Sequence, residues 1–158
     1  MKNEHIHISI ASLEDLSEIL HLQKRAFRTE AESHGNYDIE PLKQTYESIL
    51  SDFTNYTFLK AMYDGKIIGS VKYRMLDDRV WIGKLIVDTD YRRQGLGRKL
   101  LTEVENVNPE AKKFQLFTAA SSIHNIRLYE SVGYQVCRQY QDETQSDLPM
   151  VEMVKVNY

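Results

Sequence analysis

The stretch from Leu85 to Ala119 constrains this chain more than any other. Leu85-Ile86-Val87 ends a β-pattern, and Tyr91-Arg92-Arg93-Gln94-Gly95-Leu96-Gly97 leads straight into a helix with Leu100, Leu101 and Val104 on one face. Phe114 to Ala119 is the next β-pattern. A strand that passes through a loop and a helix into another strand forms a βαβ unit, so these two strands, the fourth and fifth of the chain, should run parallel. Gly95 and Gly97 allow a sharp turn and let a ligand approach backbone amides that side chains would otherwise shield. The loop opens a helix, whose unpaired N–H groups and positive dipole end suit a phosphate or pyrophosphate. Taken alone, the same residues also suit a plain tight turn beside a solvated basic face. A Walker loop requires Gly-Lys-Ser/Thr after its second glycine, and a Rossmann fingerprint requires a third glycine after the first strand; neither fits here.

The surrounding pattern is that of one domain. Its 158 residues, 42% of them apolar, are enough for a core without staples. From His5 to Ala11 the chain alternates like a strand. Ser12 and Asp15 make a capping-box signature ahead of Leu13, Leu16, Ile19, Leu20 and Phe27. A polar connection from Glu30 to Glu40 follows, and Pro41 opens a second helical pattern that fades near Asn55. Tyr56 to Tyr63, Lys66 to Met75 and Arg79 to Asp88 are β-runs joined by turns at Asp64-Gly65 and Asp77-Asp78, which predicts an antiparallel meander. Ile123 to Val132 is a short helix stopped by Gly133, and Tyr134 to Tyr140 and Met150 to Val156 close the chain as strands. The expected architecture is a single mixed α/β (α+β) domain over residues 1–158, a mostly antiparallel sheet of about seven strands with about four helices.

Charge and cysteine usage narrow the function. With 20 Lys and Arg against 23 Asp and Glu the net charge is −3, which disfavours a general grip on nucleic acid or anionic lipid. Four cations, Arg92, Arg93, Arg98 and Lys99, nevertheless fall within eight residues. The single cysteine, Cys137, closes no intrachain disulfide, and it is expected to be a small buried hydrophobe. No Cys/His cluster has zinc spacing, and no apolar run approaches a membrane span. A soluble cytoplasmic protein without a metal is the expectation.

The loop, together with a second motif, resembles the GNAT superfamily of acetyl-CoA-dependent N-acetyltransferases. The family's phosphate motif, Gln/Arg-x-x-Gly-x-Gly/Ala after a strand ending Leu-x-Val, is matched by Leu85-Ile86-Val87 and Arg92 to Gly97. About thirty residues on, Asn125, Tyr129 and Gly133-Tyr134 match the family's Asn, its Tyr four residues later and its Gly-Tyr. The order of elements is also similar over the whole length. The resemblance implies that acetyl-CoA is the donor and that its pyrophosphate sits on the amides of Arg93 through Arg98, including Gln94, Gly95, Leu96 and Gly97. The local cluster of cations, Arg92 and Lys99 included, would then serve the donor's phosphates. The two parallel strands would splay to admit the pantetheine arm, with Leu85, Ile86 and Val87 as backbone contacts. Asn125 would steady that arm, and Tyr129 would act as general acid at the sulfur.

Helical spacing places Asn125 and Tyr129 on one face, so both polar tips can address one ligand. A tyrosine at its ordinary pKa is protonated at neutral pH and can donate to a developing thiolate. The proton acceptor is less defined. Many relatives carry a glutamate early in the fourth strand, but Val80 through Val87 contains no carboxylate. The connection between the first two helices offers Glu30, Glu32, His34, Tyr37, Asp38 and Glu40, and Glu30 and Glu32 are the candidates for base or acceptor binding. The acceptor would be a primary amine on a small molecule, a peptide N-terminus or a lysine. The alternative is an acyl-CoA sensor without turnover. Pairing into a homodimer through the last strands is compatible with either.

Overall fold

Seven strands form one sheet in the order β1-β2-β3-β4-β5-β7-β6. They are β1 (His7–Ile10), β2 (Thr57–Tyr63), β3 (Lys66–Leu76), β4 (Arg79–Val87), β5 (Lys113–Ala119), β6 (Gln135–Asp142) and β7 (Leu148–Val156). The computed structural model describes residues 5–35, 37–142 and 148–157; the side chains of residues 33 and 34 are outside that description. Among the described residues only β4 and β5 pair in parallel, and every other neighbouring pair is antiparallel. The meander is closed by the predicted turns. Asp64 and Gly65 both take positive φ (52° and 74°), the geometry of a primed hairpin turn, and Asp77 does the same at 58°.

Ser12 and Asp15 form the expected capping box, the Ser12 N–H donating to Asp15 Oδ2 at 2.8 Å. A 3-10 turn at Leu13–Asp15 then runs into α1 (Leu16–His34). The helix continues well past the predicted end, so Glu30 and Glu32 lie on its last turns and not in a connection. The reason is packing. Ala26 and Ala31 are buried, and Gly35, at φ 67°, supplies the left-handed residue that ends the helix. The second helical pattern divides in two, α2 (Glu40–Lys43) and α3 (Tyr46–Asn55). Gln44 and Thr45 are extended between them, and Thr45 Oγ1 accepts the Ser48 N–H at 3.1 Å to start α3. With α4 (Leu96–Asn106) and α5 (Ile123–Ser131) the described chain holds five helices where about four were expected.

Successive strand residues point to opposite faces, and each face has its own core. Leu59 and Ile68 join Leu96, Leu100, Leu101 and Val104 of α4 on one side. Phe58 and Ile67 join Leu16, Ile19 and Leu22 of α1 and Ile49 of α3 on the other. Each fully buried aliphatic side chain contributes about 1.5–3 kcal/mol. Gly133 takes φ 104° beyond α5, as predicted. Cys137 departs from expectation: it is exposed, because β6 is the edge strand and most of its side chains face solvent. Its thiol donates to the Glu152 carbonyl at 3.4 Å. No helix among the described residues is long and apolar enough to cross a membrane.

Candidate active site

The site begins with a defect in β4. Ser70 pairs with Ile86 and Lys72 with Gly83, so Val71 alone faces both Lys84 and Leu85. This is a β-bulge, and within it Lys84 takes φ 41°. Beyond it the parallel ladder is lost: pairing runs from Arg79–Lys113 to Ile82–Leu116 and stops, although β4 continues to Val87 and β5 to Ala119. The two strands therefore part where the backbone of Leu85, Ile86 and Val87 faces the gap. Ile86 is buried against α1, while Leu85 and Val87 pack half-buried on the α4 side.

At the end of β4, Asp88 anchors the loop. Its carboxylate is 1% exposed, accepts the Asp90 N–H at 3.0 Å and Arg25 of α1 at 2.7 Å, and forms an ion pair with Lys66 of β3 at 3.5 Å. Burial pushes its pKa up, but the backbone hydrogen bond and the two cations outweigh this and hold the carboxyl below the usual aspartate value. The loop then places Arg93 (φ 63°) and Gly95 (φ 78°) in the left-handed region around Gln94. Alternation of this kind turns successive N–H groups into one concavity, here at the N-terminus of α4. Leu96 and Gly97 are buried, so they offer a ligand only their backbone. The four cations divide. Arg92 donates to the Ala26 carbonyl at 3.3 Å and Arg98 to Ser131 Oγ at 3.1 Å, which ties the loop to α1 and α5. Arg93 is exposed on the loop, and Lys99 is half-buried one turn into α4.

A cavity of about 210 Å3 opens between the parted strands and the C-terminal end of α1. Asn125 and Tyr129 both line it, as their spacing predicts, and Leu85 and Phe117 come from the two strands. Tyr129 is 6% exposed; burial, reinforced by the nearby charge of Glu30, pushes its pKa far above the ordinary tyrosine value. It is a phenol, and hence a donor, at any working pH. Glu30 lines the same cavity and accepts the Ser122 hydroxyl from the start of α5. Glu32 is exposed and lies off the cavity. Tyr37 is exposed, and Asp38 pairs with Lys43 at 2.6 Å. Glu40 does reach the cavity wall, where it pairs with Lys84 at 2.7 Å.

Lys84 and Ser122 also line the cavity, and the sequence reading did not point to either. The signal for Lys84 was Gly83-Lys84 interrupting an apolar strand, a mark of a bulge. Ser122 has no comparable signal, since its role depends on α1 passing beside α5.

A mixed sheet that opens at the parallel pair of β4 and β5, above an amide concavity and beside a small polar-apolar cavity, has the architecture of an acyltransferase domain. The profile of the Acetyltransferase (GNAT) family matches residues 16–134. The chain belongs to this family. UPF0157 protein YqkA of Bacillus subtilis (strain 168) is 30% identical over 118 residues, covering 75% of this chain and 34% of that protein. Spermine/spermidine N(1)-acetyltransferase of the same strain is 30% identical over 84 residues, 46% of this chain and 55% of that one. The matches thus span about a third to half of the curated relatives' lengths. The crystal structure of PaiA N-acetyltransferase from Thermoplasma acidophilum in complex with coenzyme A superposes with a TM-score of 0.79 at 19% identity, covering 96% of this chain and 98% of that one. It shares the fold.

Proposed function

We propose that the protein transfers the acetyl group of acetyl-CoA to a primary amine bound against Glu30. The observation that carries this reading is the convergence of Tyr129, Asn125 and Glu30 on one cavity at the point where β4 and β5 part. Family membership and the coenzyme A held by the similarly folded PaiA support the donor, as does the fit of the loop, whose concave amides suit a pyrophosphate. Acetyl-CoA supplies an acetyl thioester, whose C–S bond breaks as the amine nitrogen forms an amide. The chain's residues do the rest. The amides from Arg93 to Arg98 hold the phosphates, the open edge of β4 at Leu85 to Val87 holds the extended arm, and Asn125 steadies it.

An alkyl ammonium of pKa about 10.4 is neutral in only about one molecule in a few thousand at pH 7, so a proton must leave before or during attack. Glu30, fixed by the Ser122 hydroxyl, attracts the ammonium and takes that proton. Tyr129 donates a hydrogen bond to the sulfur as negative charge grows there. Glu32, exposed and off the cavity, has no part in this scheme. The single cysteine suits a reducing cytoplasm as the place of action.

The test is free-thiol release from acetyl-CoA with a panel of primary amines, beside a thermal shift with coenzyme A alone. Amine-stimulated release is expected, along with about 2.7 kcal/mol of stabilisation at 100 times the dissociation constant. Stabilisation without release from any amine would make the domain an acyl-CoA sensor. Absence of both effects would overturn the donor assignment itself.

A further inference from the structure

The acceptor cavity is lined mostly by apolar side chains, among them Phe27, Ile39, Phe117 and Met150, and its charged lining residues are Glu30, Glu40 and Lys84. Lys84 is there because of the bulge. A left-handed backbone at φ 41° is disfavoured for a lysine, and here it accompanies a side chain only 16% exposed. Its Nζ donates to both oxygens of Glu40, at 2.7 and 2.8 Å, and to Gln44 Oε1 at 2.7 Å. Gln44 is itself buried and immobilised, since its Oε1 accepts from Gln23 at 2.9 Å and its Nε2 donates to Asp52 at 2.7 Å. The ammonium is thus held in place by α2 and by the extended link that follows it.

Resting on the acetyl-transfer reading of this cavity, we infer that Lys84 is a specificity-determining residue, a built-in ammonium that engages Glu40 and leaves the site matched to an acceptor carrying one ammonium on an apolar body. Two carboxylates and one lysine give these lining side chains a net charge of −1, which a single substrate ammonium balances. A diamine or polyamine brings a second ammonium. Within the cavity that group would meet the apolar lining, neutral polar groups such as Thr118 and Ser121 that bring no counter-charge, or the like charge of Lys84. Rejection here comes from a repulsive element already installed, not from a missing attraction. Neutralising Lys84 would present Glu40 to the second ammonium and turn the selectivity around.

The experiment compares butylamine with 1,4-diaminobutane, which have the same carbon chain and differ by one amino group. The readout is kcat/KM for each, expressed on free-base concentration at saturating acetyl-CoA. The wild-type protein should favour butylamine by about tenfold or more. Lys84→Met should reduce that ratio at least about tenfold, Lys84→Arg should restore it, and Lys84→Met combined with Glu40→Gln should return the preference to butylamine. A merely structural role for Lys84 would lower both rates together and leave the ratio unmoved. Equal or better use of the diamine by the wild type overturns the inference, even if no variant folds, and so does an unchanged ratio in a folded Lys84→Met. Coenzyme A binding with no transfer to either amine would overturn the reading of the cavity itself, and this inference with it.

Discussion

Tyr129 shows how much of a residue's chemistry is set by where it is buried. Among ten tyrosines it is one of those packed inside the domain, 6% exposed and beside Glu30, and both circumstances oppose ionisation. Its protonated state suits a hydrogen-bond donor and not a base. Tyr129→Phe keeps the ring and its packing against Tyr134, whose centroid lies 6.1 Å away, and removes only the donor. Turnover should fall roughly 100-fold, with coenzyme A affinity little changed. Single-turnover kinetics beside a coenzyme A titration separates the two, and an unaltered chemical step would remove the hydroxyl from the mechanism. Glu30 and Glu32 make the complementary point. They stand two residues apart on α1, about 200° around the helix, so one faces the cavity and the other solvent.

At the scale of the element, the loop before α4 uses its two glycines for different reasons. Gly95 sits at φ 78° and allows the turn that gathers the amides, whereas Gly97 is in the helix proper. A Cβ at Gly97 would meet the Cδ2 of Leu128 at 2.9 Å, the movable end of a flexible side chain on α5. Gly95→Ala should cost about 1–2 kcal/mol of stability and weaken coenzyme A binding, because an L-residue resists that backbone. Gly97→Ala should stay within about 1 kcal/mol of the wild type, since the gain in helix propensity offsets the contact with Leu128. Denaturation curves and coenzyme A titrations of the two variants check the contrast. Equal losses would mean that close approach, and not backbone conformation, governs both positions. The bulge in β4 is the corresponding device in the sheet, since a regular strand there would have no cause to leave the β5 ladder after Ile82.

At the scale of the whole molecule, Asp88 joins three elements, taking Arg25 from α1, Lys66 from β3 and the Asp90 amide at the start of the loop that leads into α4. Its folded pKa lies below the unfolded value of about 3.9, so its stabilisation is complete above that value and is lost as the pH falls from about 4 through the folded pKa. Asp88→Asn should cost about 1–3 kcal/mol near pH 7, and the gap from the wild type should close under acid. Melting midpoints of both proteins between pH 3 and 7 report this; a gap constant across that range would mean that the charge of Asp88 plays no part. The βαβ unit, the hairpin turns, the amide loop and the Asn125/Tyr129 pair were legible in the sequence, because each is fixed by a pattern contiguous along the chain. The extent of α1, the break between α2 and α3 and the exposure of Cys137 were not. They depend on buried Ala31, on the hydrogen bonds of Gln44 and on the edge position of β6. Local patterning by itself determined the order of the elements and the turn that gathers the amides before α4. Only the tertiary structure decided that Glu30, Ser122 and Lys84 share a wall of one cavity, since long-range packing alone brings residues so far apart in the chain into one electrostatic site.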